Sequence, residues 1–145
     1  MSDRDSALKT LYTRLIDSRD GYKEAHVRAE SAYIKGVLSD MVERRTRDAA
    51  ELRSHLTRLG HELDDDGSIL AAAHRSFLAM KDMVTGSGDE AILEEIVRGE
   101  KHLDEAYHDA IEASGPTHAE YSVLKDQHAA LVAKLNEFKA RAKAA

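Results

Sequence analysis

The chain has 145 residues, a formal net charge of -6 at pH 7 and no cysteine. This length suits a single domain, and the lack of thiols excludes disulfides, cysteine nucleophiles and thiolate metal sites. Acidic and basic residues alternate without a basic stripe, which argues against a nucleic-acid partner. The charged start MSDRDSALK and the absence of a long apolar run argue against a membrane partner. We therefore expect a cytoplasmic protein.

The first half of the chain predicts two long helices, because its apolar residues recur at helical spacing. Helix A is expected over about residues 6–29 and helix B over about residues 32–59, with the short turn AESAY between them. Gly60 directly follows helix B, in the position of a glycine that ends a helix in the left-handed conformation. This pair should form an antiparallel hairpin.

The second half predicts one shorter helix and two more long ones. SILAAAHRSFLAMKDMVTG indicates a helix over about residues 68–84 that crosses over between the two halves. Helix C follows over about residues 90–113, and helix D over about residues 117–142, where Thr117 and Glu120 fit a capping box. Two hairpins joined by a helical crossover predict an all-α, ferritin-like four-helix bundle that forms one domain over residues 1–145.

The stretch EAYH in helix C contains the Glu-x-x-His spacing of di-iron helix bundles. Each helical residue advances about 100° around the axis, so Glu105 lies about 180° and His108 about 120° from Ile96 in the apolar stripe. Both side chains should therefore face solvent, whereas bundle ligands project inward. We interpret this pair as a solvated one.

Other polar residues fall inside the apolar stripes. Arg45 lies at the centre of the stripe on helix B, Glu100 about 40° from Ile96, and His128 at the centre of the stripe on helix D. A buried charge without a partner costs several kcal/mol, so we expect Arg45 to pair with Glu100 and His128 to bind the same carboxylate. The predicted central polar layer consists of Arg19, Arg45, Asp48, Glu100 and His128, with Ser18 and Tyr22 nearby.

Several stretches resemble a bacterial family of ferritin-like four-helix-bundle proteins of unassigned function (domain of unknown function 2383). They are LIDSRDGYKEA, AAELRSHLTRLGHE, DGSILAAAHRSFLAMKDMVTG and DEAILEEIVRGEKHLDEAY, of which ILEEIVRGE is the most specific. The resemblance covers roughly residues 8–140. It implies the ferritin-like bundle, a bacterial origin and a stress-related role, and it brings no assigned reaction with it.

Ferritin-like di-iron proteins take a Glu from each of two helices and Glu-x-x-His from the other two. Here Lys125 stands three residues before His128, and Arg45 stands where a metal site needs a carboxylate. We therefore expect a degenerate centre without a cofactor. A single zinc or iron ion on Glu100, His128 and Asp48 remains an alternative. A further alternative is a larger iron site formed by Glu51, His55, Glu105 and His108.

The sequence thus favours a non-enzymatic bundle protein over a metal-binding or oxidase protein. Two further classes stay open. SHLTRLG around His55 faintly resembles the helix of histidine phosphotransfer domains, although the glycine expected after the histidine is missing. The bundle can also act by docking a protein partner or forming a homodimer, with Tyr12, Tyr33 and Phe77 at the stripe edges where a seam would form.

Overall fold

The computed structural model describes residues 3–61 and 88–144. Four helices make up this part of the chain: α1 (Asp3–Arg28), α2 (Ala32–Arg58), α3 (Asp89–Ser114) and α4 (Glu120–Ala144). The described ranges contain no strand, so the predicted all-α four-helix bundle is confirmed. None of these helices is long and apolar enough to cross a membrane. The predicted crossover helix and Phe77 lie outside the described residues.

Short polar motifs begin and end α2. Ser31 caps the first turn, because its hydroxyl accepts a hydrogen bond from the Ile34 amide at 3.1 Å. At the other end, the amide of Gly60 donates to the Thr57 carbonyl and that of His61 to the Leu56 carbonyl, each at 3.0 Å. This is the Schellman pattern, and the φ of +88° at Gly60 explains why glycine is needed there. The predicted role of Gly60 is confirmed.

The turn between α3 and α4 also uses a glycine. Gly115 has a φ of 72°, and its amide donates to the Ile111 carbonyl at 3.1 Å. The next helix begins at Glu120. The capping box had predicted a start at Thr117, three residues earlier. That prediction is wrong, because the Glu120 side chain is used in a long-range ion pair described below.

The pairs of helices that contact each other show how the bundle is arranged. α1 packs beside both α2 and α3, whereas α4 packs beside α3 and more loosely beside α2. Tyr22 meets Glu100 and, further along α1, Arg28 meets Glu95, so α1 and α3 are antiparallel. α2 is also antiparallel to α1, through the tight turn that joins them. α2 and α3 therefore run in the same direction and face each other across the diagonal of the bundle.

The core is divided into two apolar clusters, one toward each end of the bundle. The first cluster includes Leu8, Leu15, Leu52, Leu103 and Leu124. The second cluster includes Ala25, Leu38, Ile92, Ile96 and Phe138. On each of α1, α2 and α3, the residues between the two clusters carry polar side chains that point inward. The middle of the bundle is therefore where the sequence departs from a purely hydrophobic core.

Candidate functional site

The centre of the site is an ion pair between the diagonal helices. Arg45 on α2 and Glu100 on α3 are 1% and 0% exposed. One guanidinium nitrogen of Arg45, Nη2, donates to both carboxylate oxygens of Glu100 at 2.5 Å each. The predicted pair therefore forms, and it occupies the level between the two apolar clusters. Two charges this deeply buried need further hydrogen bonds to offset their lost hydration.

α1 supplies those hydrogen bonds. The Ser18 hydroxyl accepts a hydrogen bond from Arg45 Nε at 3.0 Å. Tyr22 donates its hydroxyl to Glu100 Oε1, the same oxygen that receives one of the arginine bonds. Three helices thus converge on one carboxylate, and we call Ser18, Tyr22, Arg45 and Glu100 the central layer.

The negative charge of Glu100 helps to keep Arg45 charged and Tyr22 protonated. Burial by itself would lower the pKa of Arg45, but the adjacent Glu100 carboxylate more than compensates and raises it. Burial also raises the pKa of Tyr22 well above its ordinary value, and the negative charge of Glu100 adds to that effect. Tyr22 therefore stays a protonated donor, and Arg45 stays a cation. At neutral pH neither group is poised to exchange a proton.

Asp48, which was expected within the central layer, lies at its edge. Its Oδ2 lies 3.9 Å from Arg45 Nη1, which is longer than a hydrogen bond. Burial raises the pKa of the Asp48 carboxyl, and the positive charge of Arg45 opposes that rise. The main negative partner of Arg45 is thus Glu100, with Asp48 as a weaker second one.

A second polar contact, formed by residues on α3, α4 and α2, lies on the side of the central layer where α4 packs. Tyr107 donates its hydroxyl to the Gln127 side-chain carbonyl at 2.8 Å. The amide nitrogen of Gln127 then donates to the backbone carbonyl of Asp48 at 3.4 Å and to the Glu51 carboxylate at 3.3 Å. Gln127 thus provides a direct polar link between α4 and α2. Gln127 was not among the residues expected in the core, although its position between Leu124 and Leu131 has core spacing.

His128 does not take part in the central layer, so the prediction that it binds Glu100 is wrong. Its Nε2 lies 2.5 Å from Asp104 Oδ1 at the partly exposed seam between α3 and α4. The inward stripe of α4 runs through Leu124, Gln127 and Leu131, which places His128 about 100° away from the centre. The error came from assigning the middle of that stripe one residue too late.

Arg19 is the other residue wrongly assigned to the central layer. Its Nε donates to the carboxylate of the next residue, Asp20, at 3.0 Å, and both side chains are partly exposed. Ser18, one position earlier, takes the inward place instead. Glu105 and His108 face solvent on α3, as predicted. Glu51 is exposed and His55 is half-buried, so neither points into the central layer.

The residues at the centre do not fit a metal ion. Over residues 3–61 and 88–144, no group of three or more His, Asp or Glu side chains is arranged to hold one. The structure brings Glu100 and Asp48 to the same arginine, while His128 stays outside. A guanidinium at that position repels a cation and occupies the lone pairs that the cation would need.

A second, partly buried ion pair lies at one end of the bundle. Arg4 Nε and Nη2 each donate to one oxygen of Glu120 at 2.7 Å, and Ser114 donates its hydroxyl to the same carboxylate at 2.8 Å. We call Arg4, Ser114 and Glu120 the end clamp. The hydrogen bond from Arg4 lowers the pKa of Glu120 to about 2, although burial alone would raise it. This contact joins residues 116 positions apart, and the sequence alone did not predict it.

A family model described as Domain of unknown function (DUF2383) matches residues 3–113 of the chain. The chain belongs to this family. No curated protein and no solved structure matches the sequence.

The match to the DUF2383 family covers α1, α2 and nearly all of α3. All four residues of the central layer therefore lie in the matched part, whereas Gln127 and Glu120 lie beyond it on α4. The central layer of this chain is thus formed entirely by residues of the matched region. What that geometry can do chemically is limited, because every charged group in it already has a close partner.

Proposed function

We propose that this DUF2383 protein is a non-enzymatic, ferritin-like bundle protein of bacterial origin, in which a closed ion pair takes the place of a metal centre. The observation that carries the proposal is that both carboxylate oxygens of Glu100 already accept hydrogen bonds. Both of its oxygens accept bonds from Arg45, and one also accepts the Tyr22 hydroxyl. A catalytic or metal-binding carboxylate needs a lone pair directed at its substrate or ion, and Glu100 is engaged on both oxygens.

The central layer serves to align the helices. It lies between two apolar clusters, and a helix rises about 5.4 Å per turn. Sliding α2 by one turn along α3 would separate Arg45 from Glu100 and move each charge into an apolar cluster. Since an unpaired buried charge is strongly destabilising, only one alignment of the two diagonal helices is favourable. The central layer thereby selects the register of α2 against α3, which hydrophobic packing alone leaves less well defined.

The cellular part of the proposal is a cytoplasmic, stress-related role carried out with a protein partner or a second copy. Resemblance to the bacterial family supports the stress-related role, and the mixed surface charges support a protein partner over nucleic acid. Val27 and Tyr33 are exposed on either side of the turn between α1 and α2, which supplies apolar surface for such a contact. Tyr12 is buried in the first cluster and is not available for it.

Metal content and iron oxidation test the central claim. We expect the purified protein to consume no oxygen when Fe²⁺ is added. We also expect the Glu100→Gln variant to bind as much metal as the natural protein does. Iron that is bound by the natural protein and lost in Glu100→Gln would contradict the proposal. It would show that the carboxylate opens to a cation in solution.

Arg45→Glu provides the reverse test. It replaces the cation of the central layer by a third carboxylate beside Glu100 and Asp48, the ligand type that iron and manganese favour. We expect the variant to gain Fe²⁺ or Mn²⁺ binding and to be stabilised by the ion, as linkage requires of a ligand that binds the folded state. Arg45→Met serves as the control, because it removes the cation without adding a ligand. A folded Arg45→Glu variant that binds no more metal than Arg45→Met would refute the view that the ion pair replaces a metal centre.

A further inference from the structure

The end of the bundle that contains the α1–α2 turn exposes more apolar side chain than the opposite end does. Val27, near the end of α1, is 80% exposed, and Tyr33, near the start of α2, is 45% exposed. We call this end, where α1 and α4 end and α2 and α3 begin, the turn end. Two large apolar side chains that flank one turn are grouped and not scattered, and grouped exposure of this kind is typical of a contact surface.

Two side-chain contacts show which helix ends adjoin at the turn end. Arg28 Nη2 donates to Glu95 Oε2 at 2.5 Å, so the end of α1 lies beside the start of α3. The guanidinium of Arg141 lies over the Tyr33 ring, 4.4 Å from its centroid, so the end of α4 lies beside the start of α2. The four helix ends therefore form a square, in the order α1, α2, α4 and α3.

The α3 and α4 corners of this square carry opposite charges. The first seven residues of α3, DEAILEE, include four acidic residues and no basic one. The last seven residues of α4, FKARAKA, include three basic residues and no acidic one. Glu90 and Arg141 are exposed members of these two segments. The turn end thus presents apolar side chains at two corners, a negative charge at the third and a positive charge at the fourth.

We propose that the turn end binds the turn end of a second copy of this chain, in a two-fold symmetric, end-to-end dimer. The symmetry axis passes between α1 and α2 and between α3 and α4. It places Val27 of each copy over Tyr33 of the other, and the acidic start of each α3 over the basic end of the other α4. Every contact therefore occurs twice, as a two-fold axis requires.

The charges and the helix directions select this axis over the others. An axis along the diagonal from α1 to α4 would place the two basic ends of α4 on each other. An axis turned by 90° would place Val27 over the acidic corner and Tyr33 over the basic one. In the proposed dimer each helix start faces a helix end, so the partial charges of the helix dipoles also attract.

The size of the turn end limits the strength of the dimer. Four helices, each about 10 Å across, present a face of roughly 400 Å² per copy. The total buried area is then at the low end for specific interfaces, so the dimer should be weak and dependent on concentration. This inference rests on the part of the proposed function that assigns a contact to the apolar surface beside the α1–α2 turn, and it names a second copy as the partner.

Sedimentation velocity of the natural protein between about 10 µM and about 1 mM tests the dimer. We expect the sedimentation coefficient to rise with concentration toward that of a dimer, and to rise less at high salt because exposed charges are screened. Val27→Glu should weaken association at least about 10-fold, since it brings two carboxylates into an apolar contact that occurs twice. Leu59→Glu is the matched control, because Leu59 is 38% exposed at the opposite end of α2.

Charge reversal tests the symmetry axis. Glu90→Lys and Arg141→Glu should each weaken self-association, because each places like charges across both copies of the contact. An equal mixture of the two variants should associate more tightly than either variant alone, since both contacts of the mixed dimer then pair opposite charges. Glu112→Lys reverses an exposed charge at the other end of α3 and should leave association unchanged. Circular dichroism checks that each variant is folded.

A natural protein that stays monomeric at about 1 mM would overturn the proposal. So would equal losses in Val27→Glu and Leu59→Glu, or a mixture of the charge variants that gains no affinity. A chain that stays monomeric but binds a different protein through Val27 would overturn the dimer and leave the proposed function intact. Oxygen consumption with Fe²⁺ would overturn the proposed function and leave the dimer intact.

Discussion

The central layer and the end clamp both join an arginine to a buried carboxylate, but they differ in how the arginine is solvated. Arg45 and Glu100 are both withdrawn from water, with side chains 1% and 0% exposed. In the end clamp, Glu120 is 2% exposed while Arg4 is 21% exposed. Arg4 also binds with two nitrogens to two oxygens, whereas Arg45 uses one nitrogen for both. The end clamp therefore has the better geometry and the smaller desolvation cost.

This difference indicates different roles for the two pairs. Replacing a fully buried ion pair by apolar residues is often neutral or stabilising, so such a pair is weak evidence for net stability. The central layer is better explained by the selection of one helix alignment. The end clamp joins the first turn of α1 to the first residue of α4, with one charge partly hydrated, and its bidentate charged hydrogen bonds should stabilise the fold directly.

The largest expected effect is the loss of one partner in the central layer. Glu100→Leu should lower the free energy of unfolding by about 3–5 kcal/mol, because Arg45 is left charged and unpaired in the core. Urea denaturation measures the loss. The double variant Arg45→Met with Glu100→Leu is the control and should recover most of that stability. A double variant as unstable as the single one would show that the pair itself is a major source of stability, which would break the comparison.

The end clamp should give the next largest effect and a distinct pH dependence. Because Arg4 lowers the folded-state pKa of Glu120 from 4.5 to about 2, its stabilising contribution is fully present above pH 4.5. It falls as the pH is lowered toward 2, and the shift corresponds to at most about 3 kcal/mol.

Urea denaturation of the natural protein and Glu120→Gln between neutral and strongly acidic pH checks this expectation. The difference between the two should shrink as the pH falls through that window. A difference that stays constant would mean that the carboxylate charge of Glu120 contributes nothing.

Two buried tyrosines in the core allow a hydrogen bond to a charged acceptor to be compared with one to a neutral acceptor. Tyr22→Phe should cost roughly 1.5–3 kcal/mol, because the phenol donates to a charged carboxylate. Tyr107→Phe is the matched control, since its phenol is also buried but donates to the neutral Gln127 amide at 2.8 Å, and it should cost about 0.5–1.5 kcal/mol. Chemical denaturation of both variants gives the ranking. Equal losses would argue that Glu100 carries no effective negative charge in the folded protein.

Asp17 shows what happens to a half-buried carboxylate with a distant arginine. Its Oδ2 lies 3.9 Å from Arg14, and within the described residues its buried Oδ1 has no hydrogen-bond partner. Burial raises the pKa of Asp17 from 3.8 to about 6. The charged form is therefore disfavoured in the folded state, so stability linked to this group is present below pH 3.8 and is lost as the pH rises through about 6.

Asp17→Asn should consequently stabilise the protein at pH 7 by about 1 kcal/mol and have little effect at pH 4. Thermal unfolding at the two pH values measures this gain. Asp20→Asn is the control, because Asp20 already accepts a hydrogen bond from Arg19 at 3.0 Å. A loss of stability in Asp17→Asn at neutral pH would mean that the carboxylate has a stabilising partner in solution.

The sequence by itself determined the four helices and the polarity of their middle. Helical periodicity identifies α1 to α4, Gly60 marks the end of α2, and the inward phases of Arg45 and Glu100 follow from counting residues around a helix axis. These features depend on neighbours within a few turns of the same helix, where spacing alone is informative. The pairing of Arg45 with Glu100 could also be predicted, because each would be an unpaired charge without the other.

Only the tertiary structure decided which helices meet and with what rotation. His128 and Gln127 differ by about 100° around α4, so a one-residue error in the stripe exchanged a surface residue for a core one. Arg4 and Glu120 look like ordinary residues at helix starts, and their pairing requires the first turns of α1 and α4 to meet at one end of the bundle. Such contacts depend on helix packing angles and on long-range proximity, which local periodicity does not encode.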